Sequence, residues 1–113
     1  MKNEKIVRVR KLVRDHIPQI IERDGWVPRV RTLSLEGFKD ALLDKLVEEA
    51  NEVRQAQGIE AVMLELADID EVRSAIIAAF GINPGKLGQI RKQRARTRGT
   101  FTKKLFLDTM KRK

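Results

Sequence analysis

The apolar residues in the middle of the chain recur every three or four positions, which is the spacing of an amphipathic helix. Ser34 is a good N-cap for the first helical segment, and Gly58 supplies a left-handed stop after about residue 57. The second segment runs over about 60–80 and ends at Gly81. A connection of one or two residues predicts that the two helices are antiparallel neighbours in a helical hairpin.

Shorter elements are predicted on both sides of this hairpin. Asp15 can cap a short helix that ends near residue 22, and Asn83-Pro84 begins a fourth helix that ends near residue 96. Partial alternation of basic and apolar residues predicts an arm or a short strand over 5–13, and alternation predicts short strands at 27–33 and 100–107. The predicted fold is all-α, a hairpin or bundle of about four helices in one domain over 1–113, with at most short peripheral strands.

Two acidic pairs interrupt the apolar faces of the predicted hairpin. On a helical wheel, Glu65 and Asp68 fall in the middle of the apolar face of the second long helix, whereas Asp70 points outward. Glu49 and Glu52 lie at the edge of the apolar arc of the first long helix, again three residues apart. A carboxylate on an apolar surface is unfavourable unless another charge compensates it.

The heights of the two acidic pairs predict a metal site. Counted from the turn near residue 58, Glu52 and Glu49 lie six and nine residues back, and Glu65 and Asp68 lie seven and ten residues forward. An antiparallel hairpin therefore brings the two pairs to nearly equal heights. Hard divalent cations take oxygen ligands, and Mg²⁺ is the predicted ion, with Mn²⁺ as the alternative. Neutralisation by buried salt bridges from Lys45, Arg54 or Arg73 is the other interpretation. The predicted metal ligands are Glu49, Glu52, Glu65 and Asp68.

Charge and composition narrow the classes of function. The 113 residues have a net charge of +8, but residues 34–72 carry −8 and residues 73–113 carry +11. An acidic centre beside a basic end suits a partner that combines a divalent metal with phosphate. The absence of cysteine and the single histidine, His16, exclude disulfides, thiolate sites and a histidine-based zinc site. Without a long apolar run or a signal-peptide stretch, we expect a cytoplasmic protein with no membrane partner.

Four short segments resemble one superfamily of enzymes. Residues 45–52, KLVEEANE, followed by residues 65–68, ELAD, resemble the EExxE and ExxD motifs of the MazG-like, all-α nucleoside triphosphate pyrophosphatases. Residues 11–18, KLVRDHIP, resemble the KLVRDKIP opening of a predicted house-cleaning branch that is similar to phosphoribosyl-ATP pyrophosphohydrolases. Residues 98–101, RGTF, resemble the RGGF segment near the end of that branch.

The resemblance covers residues 11 to about 107, with two departures. His16 stands where that branch usually has lysine, and Thr100 where it usually has a second glycine. The resemblance implies a MazG-like domain that hydrolyses nucleoside triphosphates, non-canonical ones among them, with the help of Mg²⁺. The products would be a nucleoside monophosphate and pyrophosphate.

The resemblance also implies roles for single residues. The four carboxylates already named become the metal ligands, and Glu48 and Glu49 become the catalytic residues. Glu48 would either support the metal ligands from outside or orient the attacking water. Because phosphoanhydride hydrolysis needs cations around the phosphates, contacts to substrate are predicted for Lys45, Arg14, Arg94 and Arg98. For Lys45, an ion pair with Glu49 one turn further along is the equally good alternative.

The sequence is also compatible with two other functions, and it does not fix the oligomeric state. The basic segment over 89–98 can follow a phosphate backbone, which would make the chain a nucleic-acid-binding module, although aromatic residues do not interleave with it. A non-catalytic helical assembly protein with the same fold is the third interpretation. The hairpin has more apolar surface than a short chain covers, so we expect a homodimer or homotetramer.

Overall fold

A computed structural model describes residues 5–113 of the chain. Four helices form in it, and no strand is present anywhere in that range. The helices are α1 (Ile17–Arg23), α2 (Leu35–Gln55), α3 (Ile59–Ala79) and α4 (Pro84–Arg98). The predicted all-α fold of about four helices is confirmed.

The helix ends follow the capping residues that the sequence predicts. The Ser34 side chain accepts a hydrogen bond from the Gly37 N–H and begins α2, as an N-cap residue does. Gly58 separates the long helices with a φ of 87°, a value that favours glycine. The Asn83 side chain accepts from the Lys86 N–H at the start of α4. Both long helices begin and end within two residues of their predicted bounds.

The two shorter helices differ from their predicted bounds for local reasons. Residue His16, rather than Asp15, is the N-cap of α1, and no side chain caps this helix. Helix α4 runs to Arg98 instead of residue 96, because the first residue that departs from helical geometry is Gly99, with a φ of 83°.

The short strands predicted at 27–33 and 100–107 are wrong, and of the two alternatives at 5–13 the short strand is wrong. Residues 5–13, 27–33 and 100–107 are not strands, and the last segment contains a turn in which the Lys104 N–H donates to the Phe101 carbonyl. Alternation places side chains on two faces, but a strand also needs a partner for its backbone donors and acceptors. None of residues 5–113 supplies such a partner.

Helices α2 and α3 pack against each other and form the hairpin. Its core is small, since Leu42 and Val72 are the buried apolar side chains among the described residues. Many other large apolar side chains of the two helices are exposed, among them Leu43, Val47, Ile59, Met63, Leu64 and Leu66. The hairpin therefore carries an apolar surface that the described chain does not cover.

The chain divides into two compact units. The first ends at Gly81 and contains the hairpin, and the second spans Ile82–Lys113 and contains α4. None of the helices in residues 5–113 has the length and apolar character that crossing a membrane requires.

Candidate metal centre

Three of the four predicted ligands meet on the facing sides of the hairpin. Glu49 of α2 and Glu65 and Asp68 of α3 each offer one carboxylate oxygen, and these oxygens all lie within 4.8 Å of one another. The three-residue spacing on α3 turns two carboxylates the same way, and the short connection at Gly58 sets them at the height of Glu49. An all-oxygen set of this size is the kind that Mg²⁺ or Mn²⁺ prefers.

Burial distinguishes Glu49 from an ordinary acidic residue on a helix surface. Only 8% of Glu49 is exposed, and it lies on the α2 face that also carries Leu42. Among residues 5–113, the cation within 4.0 Å of its carboxylate is Lys45, whose Nζ is 3.7 Å from Glu49 Oε1. A buried carboxylate with one long contact to a cation is poorly compensated, so a further positive charge at this position would stabilise it.

Glu65 shows the mutual repulsion of the cluster. Loss of hydration raises the pKa of Glu65, and the negative charges of Asp68, Glu52 and Glu49 raise the pKa further. A hydrogen bond with Glu49 acts in the same direction, because it favours the protonated carboxyl. Converging carboxylates disfavour each other's ionised form, and the raised pKa of Glu65 is the expected result.

Glu52 lies beside the cluster rather than within it. Its side chain is exposed, and the group of mutually close oxygens contains Glu49, Glu65 and Asp68 without it. The charge of Glu52 nevertheless contributes to the raised pKa of Glu65. A role for Glu52 as fourth ligand stays a prediction.

Glu48, the predicted water-orienting group, is held by two lysines. Its Oε1 accepts hydrogen bonds from Lys45 Nζ at 3.1 Å and from Lys11 Nζ at 3.2 Å. Burial acts to raise the pKa of Glu48, but these hydrogen bonds and the two positive charges outweigh it, and the pKa is lowered. Glu48 is thus ionised and fixed at the edge of the cluster.

Arg14 contacts the cluster from the N-terminal segment. Its Nη1 donates to Asp68 Oδ1 at 3.1 Å, and its Nη2 lies 3.8 Å from Glu71 Oε1. Together with the contact between Lys11 and Glu48, this joins the segment before α1 to both helices of the hairpin. Sequence reasoning missed Lys11 and Glu71, although Lys11 stands three residues before Arg14 in the same motif-like segment.

The alternative interpretation, neutralisation by salt bridges, holds only in part. Lys45 contacts Glu48 and Glu49, but neither Arg54 nor Arg73 forms an ion pair within residues 5–113. The cations that the structure brings to the carboxylates are Lys11, Arg14 and Lys45.

The two remaining predicted substrate contacts lie in the second unit. Arg94 and Arg98 are exposed residues of α4. Thr100, which departs from the family pattern, is exposed, and its hydroxyl lies 3.4 Å from the Thr102 hydroxyl. His16, the other departure, is exposed at the start of α1.

Comparison with known proteins finds one short similarity. No protein-family model and no solved structure matches the chain. A segment of 53 residues, 47% of the chain, is 43% identical to an uncharacterized protein of Mycolicibacterium smegmatis, of which it covers 54%. The chain thus spans about half the length of the curated relative that it matches.

Proposed function

We propose that this chain is a MazG-like nucleotide pyrophosphohydrolase that uses Mg²⁺ to convert nucleoside triphosphates, non-canonical ones included, to monophosphates and pyrophosphate. The observation that carries the proposal is the meeting of Glu49, Glu65 and Asp68 from two facing helices, with Glu49 buried. A structural role explains such a cluster poorly, because two cations, Arg14 and Lys45, only partly compensate three converging carboxylates. A function that requires a divalent cation explains it directly.

In the proposed reaction, Glu49, Glu65 and Asp68 hold the metal, and Glu52, whose charge already acts on Glu65, is proposed as the fourth ligand. When bound, Mg²⁺ would neutralise phosphate oxygens and lower the pKa of a bound water. Water forms a bond to the α-phosphorus as the bond to the β-phosphate oxygen breaks, and pyrophosphate leaves with that oxygen. No side-chain nucleophile is needed.

The environment of Glu48 suits a positioning role in this reaction. A lowered pKa makes its carboxylate a weak base but a good hydrogen-bond acceptor at neutral pH. We therefore assign to Glu48 the orientation of the attacking water rather than removal of its proton in advance.

The cations around the cluster suit substrate binding. Arg14 and Lys45 now neutralise the carboxylates at distances of 3.1–3.8 Å. A metal that took over this neutralisation would leave both cations available for phosphate oxygens. In the second unit, Arg94 and Arg98 remain proposed phosphate contacts, because phosphoanhydride hydrolysis needs cations that hold the leaving pyrophosphate.

The exposed apolar residues of the hairpin support an assembly of identical chains. A homodimer that covered the faces of α2 and α3 would bury side chains such as Val47 and Leu64, which are now exposed. We propose a homodimer or homotetramer in the cytoplasm, where nucleotide substrates occur. Sedimentation at micromolar concentration should show no stable monomer.

A substrate panel tests the proposed activity. The purified chain is incubated with canonical and modified nucleoside triphosphates, in Mg²⁺ or in EDTA, and monophosphate and pyrophosphate are quantified. We expect both products in equal amounts with at least one substrate, and neither product in EDTA. Release of orthophosphate instead, or equal rates in EDTA, would contradict the proposal.

A further inference from the structure

The second unit has an extreme charge. Residues 82–113 contain 11 basic side chains and one acidic side chain, Asp108, which gives a net charge of +10. The helix of this unit, α4, has no acidic residue at all, so no ion pair along the helix can offset the repulsion between its cations.

These cations have no anionic partners among the described residues. Every ion pair found within residues 5–113 joins side chains between Lys11 and Glu71, and none includes a residue of the second unit. The positive charge of the unit is therefore exposed to solvent. A polyanion would relieve its repulsion and release counterions.

The distribution of the charges favours nucleic acid over a membrane surface. Helical spacing places Arg91 and Arg94 on one side of α4, and Lys92 and Arg96 on another. A helix that lies in a membrane interface needs a broad apolar face opposite its cations, and α4 has none. A flexible phosphate backbone can contact cations on several sides of one helix.

A recess lies along α4 beside two of its cations. It measures about 240 Å³ and is lined by Gly88, Arg91, Lys92, Ala95 and Thr100. Nothing lies within 4 Å of the position where a side chain of Gly88 would begin, so the helix backbone is open there. Two cations, Arg91 and Lys92, thus stand beside an open and mostly apolar part of the helix.

Two aromatic side chains follow the helix and provide stacking surfaces. Phe101 and Phe106 are 96% and 85% exposed, and Lys103 and Lys104 lie between them in the chain. Exposed aromatic rings beside cations are typical of proteins that bind single strands, since any unpaired base can stack on them. Bases in a duplex are already stacked and do not offer this contact.

We propose that the unit Ile82–Lys113 binds single-stranded nucleic acid, with Arg91, Lys92 and Arg96 on the phosphates and Phe101 and Phe106 against the bases. This activity is independent of the proposed hydrolysis, because it uses none of the carboxylates of the hairpin.

Fluorescence anisotropy with a 20-nucleotide single strand that carries a 5′-hydroxyl tests the proposal. The full chain is titrated in EDTA, so that the metal centre takes no part. We expect measurable affinity at 50 mM KCl and a steep loss as salt rises. Because each neutralised phosphate contributes about 0.7 to the salt slope, R91A/K92A/R96A should lower the slope by about 2 and the affinity by at least about tenfold.

A second variant and a matched control isolate the second unit. F101A/F106A should lower the affinity about tenfold while leaving the salt slope unchanged, because it removes stacking and no charge. R23A/R29A/R31A removes the same charge from exposed positions of the first unit and should change the affinity less than twofold. If circular dichroism shows that R91A/K92A/R96A has lost helicity, the comparison of F101A/F106A with R23A/R29A/R31A still tests the proposal.

Several results would overturn the proposal. The first is that the wild type does not bind the oligonucleotide at 50 mM KCl. The second is that R91A/K92A/R96A and the control R23A/R29A/R31A lose equal amounts of affinity. The third is that F101A/F106A binds as tightly as the wild type. Binding to phosphatidylserine vesicles without binding to the oligonucleotide would also overturn it and identify a membrane surface instead.

Discussion

The acidic cluster of the hairpin and the basic C-terminal unit differ in how far their charges are buried and paired. In the hairpin, carboxylates meet on a partly buried face, and Glu49 is almost inaccessible to water. In the unit Ile82–Lys113, the cations are exposed and none is paired with a described carboxylate. Solvent screens exposed charges well and buried charges poorly. The hairpin therefore suits a specific, fixed cation, whereas the basic unit suits a ligand that salt displaces.

The largest expected effect is the loss of a metal ligand. Glu49→Ala and Asp68→Ala should each lower nucleotide hydrolysis at least about a hundredfold, since even groups that only support metal ligands contribute 10–100-fold. The measurement is pyrophosphate release under saturating Mg²⁺.

Asp70 provides the matched control for this prediction. It lies on the same helix as Asp68 but is exposed and outside the carboxylate cluster. Asp70→Ala should keep its activity within about twofold of the wild type. Equal losses in Asp68→Ala and Asp70→Ala, or no loss in either, would show that the facing carboxylates are not the site.

The second-largest expected effect is that salt weakens ligand binding to the two regions by different amounts. Between 50 and 200 mM KCl, oligonucleotide binding should weaken roughly fiftyfold if about four phosphates are neutralised. Mn²⁺ binding to the partly buried hairpin cluster should weaken only a few fold over the same range. The two titrations on one protein preparation measure both, and parallel salt slopes would contradict the comparison.

The pH dependence of stability should reveal repulsion in the metal-free hairpin. Because the pKa of Glu65 is raised above its ordinary 4.5, the folded state binds this proton more tightly than the unfolded state. The contribution of Glu65 to stability is thus present at low pH and lost as pH rises from 4.5 through the raised value. In EDTA, Glu65→Gln should remove this loss and raise the urea midpoint at neutral pH.

Asp70→Asn is the control for this variant, because it removes an exposed carboxylate from the same helix. Its urea midpoint at neutral pH in EDTA should stay close to the wild-type value. Excess Mg²⁺ should reverse the order of Glu65→Gln and wild type, since only the wild type keeps the full ligand set. If Glu65→Gln destabilises the protein in EDTA, the cluster is held by compensating contacts and not by a metal.

The smallest effect is expected for the contact between Lys11 and Glu48. The side chains are 49% and 29% exposed, so their ion pair is largely screened by solvent. Lys11→Ala should lower the free energy of unfolding by less than about 1 kcal/mol. Urea denaturation measures this, and a loss of several kcal/mol would show that the N-terminal segment is part of the hairpin core.

The sequence predicts the features of the fold and site that depend on residues close together in the chain. Caps at Ser34 and Asn83 and the glycine at 58 define the helices, and the equal heights of Glu49, Glu65 and Asp68 follow from helix geometry. The peripheral strands were wrongly predicted because strand formation depends on a distant partner that alternation does not reveal.

Contacts between residues that are far apart in the chain could not be predicted from the sequence either. Lys11 and Glu48 are 37 residues apart in the chain, and Arg14 and Asp68 are 54 apart. No periodicity relates positions so far apart. The presence of acidic and basic groups was therefore predictable, but the choice of partners was not.

Direct titration with Mn²⁺ tests the central claim, that the carboxylates of the hairpin form a metal centre. Electron paramagnetic resonance counts free and bound Mn²⁺ without any assumption about substrate or activity. We expect saturable binding by the wild type, at least about tenfold weaker binding by Asp68→Asn, and unchanged binding by Asp70→Asn. The claim is contradicted if the wild type binds no Mn²⁺ at millimolar concentration, or if the two variants weaken binding equally.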